Sequence, residues 1–191
     1  MKSVNKYSFK TVQSVKMPRS EFSRPQAVKT TFDAGYIVPV YREEVLPGDT
    51  HSVRTTAFCR LSTPLFPIMD NMRMDIHYFF VPYRLVWDDW QHFCGEKTNP
   101  GDTTTYTVPQ VLAPETTGHA INSLYDHLGL RAGVDVSEDS HSNLNARAYN
   151  LIYNEWYRDQ DIIDYLREVK DTIILQVLYL GHKKAMQLHY L

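Results

Sequence analysis

MRMDIHYFFVPYRLV, residues 72–86, decides the fold class. Met72, Met74, Ile76, Tyr78 and Phe80 fall on one side of a period-two pattern, with Arg73, Asp75 and His77 on the other. That alternation belongs to a strand with one covered face and one wet face. Upstream, HSVRTTAFCRLS (51–62) repeats it: Val53, Thr55, Ala57, Cys59 and Leu61 share a face opposite Arg54, Thr56, Phe58 and Arg60. A Pro47-Gly48-Asp49 turn separates this run from GYIVPVYREEV (35–45), where Tyr36, Val38 and Val40 alternate with Ile37, Pro39 and Tyr41. Pro39 has no amide proton to give a ladder, so its strand belongs at an edge or a bulge. Strands joined by turns, with no helices between them, favour an antiparallel sandwich or barrel and disfavour a doubly wound parallel sheet.

Helices enter further along, as insertions. VWDDWQHFC (86–94) sets Trp87, Trp90 and Cys94 near one face of a short helix, and Asn122 is placed to cap a turn carrying Leu124 and Leu128 before Gly129 ends it. The stretch 96–118 and the polar stretch RAGVDVSEDSHS (131–142) read as loops, the second as an exposed tip. The strongest helix starts near Asn143. Leu144, Ala148, Leu151, Ile152 and Trp156 form one stripe, and Tyr149, Tyr153 and Tyr157 a second beside it. A helix apolar over so much of its circumference needs cover on two sides, either from its own chain or from a neighbouring subunit. Tyr149, Tyr153, Trp156 and Tyr157 are the interface candidates, since aromatic residues dominate the buried centres of interfaces.

Charge is polarised along the chain. Lys2, Lys6, Lys10, Lys16, Arg19, Arg24 and Lys29 face only Glu21 within the first 30 residues, a balance of +6; the whole-chain balance of −2 then leaves −8 elsewhere. With Pro18 and Pro25 and little apolar periodicity, 1–30 reads as a basic arm, and a cationic arm attracts phosphates without reading sequence. Those seven cations are the nucleic-acid candidates, with Tyr7 and Phe9 as stacking partners for bases. The 13 Tyr, 8 Phe and 3 Trp favour either an aromatic core or a protein that packs against partners.

Chemistry leaves no signature. None of the eight histidines forms an i, i+4 pair, so the spacing of a helical zinc site is missing, and no phosphate loop or nucleophile elbow occurs. Catalytic, cofactor and metal residues are therefore expected to be none. Cys59 and Cys94 lack metal spacing and are expected reduced and buried, a single bridge being the other option. The N-terminus has no apolar signal core, and TIILQVLYLG (172–181) is too short to span a bilayer, so no membrane is expected.

Long strings of this chain resemble the major capsid protein of microviruses, especially the gokushovirus-like branch. They are TTFDAGYIVP (30–39), EEVLPGDT (43–50), TPLFPIMDNMRMDIHYFFVPYRLVW (63–87), NPGD (99–102) and NARAYNLIYNEWYRDQ (145–160). The resemblance covers about residues 15–170. It implies an eight-stranded viral jelly roll with long insertions and a structural, non-enzymatic subunit of a small icosahedral shell. The implied partners are copies of itself, other virion proteins and packaged single-stranded DNA, with synthesis in the host bacterial cytoplasm and residence in the virion.

The fold class expected is thus mainly β with helical insertions, a partial jelly roll lacking its later strands. Its divisions are a basic arm (1–30), a partial capsid domain (31–170) and a divergent tail (171–191) of the kind a shifted reading frame produces. The rival from another class is a single-stranded-nucleic-acid-binding packaging or scaffolding accessory that acts through the arm.

Overall fold

The structure, a computed structural model, describes residues 18–67, 69, 71–103, 105–112, 117–134 and 140–166. Lys2, Tyr7, Lys6, Phe9, Lys10, Lys16 and the tail 171–191 lie outside the described residues. Among the described residues helix is sparse: α1 (Trp90–Phe93), α2 (Leu124–His127) and α3 (Leu144–Ile152), with a 3-10 turn at Tyr83–Leu85 and a π turn at Tyr153–Tyr157. The sheet is small and antiparallel, β1 (Gln110–Leu112) against β2 (Ser140–Ser142), with Val111 opposite His141. These proportions are compatible with a β-rich fold.

The expected strands 36–41, 51–62 and 72–81 carry no ladder among the described residues. They are nonetheless neighbours. The Tyr78 hydroxyl donates to Thr55 Oγ1, and Cys59 Sγ meets Met74 Sδ. Moving four residues forward in one run moves four back in the other, which is antiparallel register, and all four residues come from the faces assigned by alternation. Between those pairs, Ala57 and Ile76 are both half-buried. Side chains therefore hold a strand-like register that backbone bonds do not close.

The helices sit where periodicity puts them, with corrected details. Ser123, not Asn122, caps α2, its Oγ accepting from the Asp126 amide at 3.4 Å. Asn122 instead adopts a left-handed φ of 61° and donates its amide to Asp126 Oδ2 at 2.8 Å. Both three-residue strands lie in stretches expected to be loop, because SHS and QVL are too short to show a period. Cys59 and Cys94 are free but exposed rather than buried. Cys94 closes a single-turn helix, and among the described residues the face of Cys59 has no layer over it.

Along α3 and the π turn that follows it, the most buried face runs through Ala146, Asn150, Tyr153 and Asn154, that is, through the tyrosine stripe and the side of it turned away from the Leu144 stripe. Asn154 can be buried because both ends of its amide are satisfied: Nδ2 donates to the Leu166 carbonyl at 2.9 Å and Oδ1 accepts from the Leu166 amide at 3.0 Å. Arg147 ties α3 to the Trp87 region by donating to the Val86 carbonyl at 3.1 Å. Among the described residues the apolar core is thin, made of Val86, Trp87, Leu128, Ala146 and Tyr153. Around it the extended runs border a broad open basin of about 4910 Å³, lined by residues such as Val38, Val53, Ile76 and Trp156.

Candidate functional site

The site begins where the run 72–81 crosses the end of α3. The π turn at Tyr153–Tyr157 lets the Arg158 amide reach back to the Tyr153 carbonyl at 2.8 Å. A π turn takes up one residue more than an α turn, so side chains beyond Tyr153 lag the helical stripe they continue. Trp156, in line with Ile152 by α-helical counting, is turned outward and is 73% exposed. Its ring packs against Phe79 at 5.8 Å between centroids, while Tyr157 meets Phe79 edge-on at 6.1 Å and His77 at 6.0 Å. Aromatic pairs in these tilted and edge-on arrangements hold one another in place.

The four interface candidates therefore divide. Tyr149 and Tyr153 serve the chain's own packing. The Tyr149 hydroxyl donates to the Ile37 carbonyl at 2.7 Å, which pins the run 36–41 to α3, and Tyr153 is only 3% exposed. Burial pushes the Tyr149 phenol up to about 12, and it also raises Tyr157, with the Asp75 carboxylate adding to the effect. Trp156 and the partly exposed Tyr157 face outward. Alternation missed Phe79: it falls on the side expected to be wet, with Arg73, Asp75 and His77, yet it forms the middle of this aromatic group. The available signal was the unbroken apolar run YFFV (78–81), which belongs to both faces of a strand.

A second aromatic group, Tyr83, Trp87, Trp90 and Phe93, is self-contained, with Tyr83 and Trp90 at 4.6 Å and Trp87 and Phe93 at 5.1 Å. The Tyr83 hydroxyl donates to Glu44 Oε1 at 3.0 Å; burial first, and then that carboxylate, raises its pKa.

Of the arm's cations, Arg19, Arg24 and Lys29 are described, in a stretch from 18 to 30 that is exposed and has neither helix nor strand. Arg19 donates to the Gly48 carbonyl at 3.0 Å, and Arg24 pairs with Glu43. Two of these three positive charges are therefore turned toward the chain's own acceptors. Among the described residues no group of three or more His, Cys, Asp or Glu side chains is arranged to hold a metal ion. No helix among them is long and apolar enough to cross a membrane.

Comparison with known proteins gives this geometry a family. The family model described as capsid protein (F protein) matches residues 10–175. Capsid protein VP1 of Bdellovibrio phage phiMH2K is 45% identical over 159 residues, 83% of this chain and 29% of that one. Capsid protein VP1 of Chlamydia phage 1 is 46% identical over 168 residues, 84% and 27% of the two chains. Capsid protein VP1 of Spiroplasma virus 4 is 33% identical over 160 residues, 82% and 28%. The chain spans less than a third of the length of these relatives. With most of its residues matched by the family model and a third to nearly a half of them identical in three such proteins, the chain belongs to the phage capsid (F protein) family.

Proposed function

We propose that this chain is a structural part of the capsid of a small single-stranded-DNA phage. Its copies pack with one another and with other virion proteins into an icosahedral shell of jelly-roll subunits. The observation that carries this reading is the likeness to proteins named capsid protein VP1 over more than four fifths of the chain. Geometry supports it in kind. Phe80, Phe58 and Trp156 stand exposed around an open basin, and exposed aromatic surface of this extent favours a protein covered by others. The side-chain register between 53–61 and 72–80, without a backbone ladder, suits strands whose ladder partners lie elsewhere in a completed roll.

In this reading Trp156, with Phe79 and Tyr157 behind it, is an anchor between copies. The basic arm 1–30 lies inward and neutralises part of the packaged DNA. Sedimentation over a concentration series tests the anchor. The chain is expected to self-associate, and Trp156→Ser to shift the association to at least tenfold higher concentration, about 1.4 kcal/mol at a hot-spot aromatic. A chain that stays monomeric throughout, or a variant that associates unchanged, overturns it. For the arm, removing residues 1–30 is expected to abolish salt-dependent binding of single-stranded DNA while leaving self-association intact. Filter binding across a salt series measures this.

A further inference from the structure

The described stretches between Pro109 and Asn143 (109–112, 117–134 and 140–143) fold onto one another as a small lobe. β1 and β2 hold its two ends, and the Asn143 amide donates to the Pro109 carbonyl at 2.9 Å. Between them His119 forms a parallel bridge with Ala132, its carbonyl accepting from the Gly133 amide at 2.9 Å. Backbone passes very close here. Gly118 has a φ of +64°, and a Cβ at that position would lie 1.9 Å from the Val134 carbonyl oxygen.

Two imidazoles close this lobe. The His119 ring, in a residue only 3% exposed, stacks on Tyr125 with centroids 4.6 Å apart. Its centroid is 6.0 Å from that of His141, which sits at the middle of β2 and is half-buried. Nε2 of each ring is buried and has no hydrogen-bond partner among the described residues. The titratable groups facing His119 among the described residues are Tyr125 from α2 and His141 from β2. The other two titratable side chains of α2 are turned to different partners: Asp126 to the Asn122 amide, and His127 to Thr30 Oγ1 at 3.3 Å. Arg131, beside the bridge, is exposed. Neither ring has an ion-pair partner among the described residues.

We propose that His119, stacked on Tyr125 and facing His141, is an acid-opened latch: the stretches 117–134 and 140–142 stay closed on each other while its ring is neutral, and acidification loosens them while α3 remains folded. A proton added at the His119 Nε2 creates a buried charge that finds no acceptor among the described residues and faces the His141 ring instead. Burial, and then the facing His141, lower the His119 pKa from its ordinary 6.5. The sign follows from linkage. The open chain takes up its proton near pH 6.5 and the closed lobe only below that, so closure is fully stable above pH 6.5 and weakens as pH falls through it.

Hydrogen exchange of the whole chain at about pH 7.5 and about pH 5.5, corrected for intrinsic rates, tests this. Amides of 117–134 and 140–142 are expected to lose several-fold protection at the lower pH relative to those of α3. His119→Phe combined with His141→Phe, which keeps ring packing and removes titration, is expected to abolish the difference. Equal protection of the wild-type lobe at both pH values overturns the latch, as does a response that survives in the double variant. Should that variant fail to fold, NMR titration of the wild-type ring protons decides. Titration of His119 below pH 6.5 together with lobe opening supports the latch, and titration at or above pH 6.5 overturns it.

Discussion

A phenol at position 149 shows how much one side chain can organise. The Tyr149 hydroxyl reaches the Ile37 carbonyl across more than a hundred residues of sequence, so one hydrogen bond fixes the strand-like run 36–41 against α3. Tyr149→Phe is expected to cost about 0.5–1.5 kcal/mol in thermal or denaturant unfolding, the usual net worth of such a bond. The phenol also makes an alkaline prediction. Its pKa is raised from 10.0 to about 12 in the fold, so the stability it contributes is complete below pH 10 and declines as pH rises toward 12. Unfolding midpoints across that range check the slope, which Tyr149→Phe should flatten. Little of this was readable in the sequence. A tyrosine on a helical stripe announces burial, but its acceptor is a backbone carbonyl, and nothing in residue identity marks a carbonyl. The buried Asn150 and Asn154 were hidden for the same reason, since the bond that makes Asn154 tolerable comes from the main chain of Leu166.

At the level of elements, legibility followed length. α3 is long enough for its period to emerge, and its start at Asn143 was visible; the outward turn of Trp156 was not, because a π turn breaks the period on which the count relies. β1 and β2, three residues each, fell inside expected loops. The opposite discrepancy occurs at 53–61 and 72–80, where clear alternation yields matched side chains without a ladder. The Thr55–Tyr78 and Cys59–Met74 contacts define that register, and native Cys59 supplies a test of it. In a Cys94→Ser background, Met74→Cys is expected to form a disulfide with Cys59 under mild oxidation. Arg73→Cys, on the opposite face of the run, is expected to do so far more slowly. Mass spectrometry of the oxidised chains distinguishes the two.

At the scale of the whole molecule, the thin core among the described residues sets the behaviour. Burial of Val86, Trp87, Leu128, Ala146 and Tyr153 is modest beside the apolar surface left outside, and stability of a domain grows with the area it hides. The same imbalance has a consequence for the chain in isolation. From 36 to 81 the main chain carries donors and acceptors with no ladder among the described residues, and within it IHYFFV (76–81) has neither an acid nor a Lys or Arg to keep identical segments apart. Such a stretch is its own best template. Held in isolation at high concentration, the chain is expected to nucleate dye-binding fibrils at IHYFFV with the cross-β spacing of about 4.7 Å. Phe79→Lys should lengthen the lag several-fold. Left uncovered in a test tube, that ribbon is expected to act as a seed for amyloid.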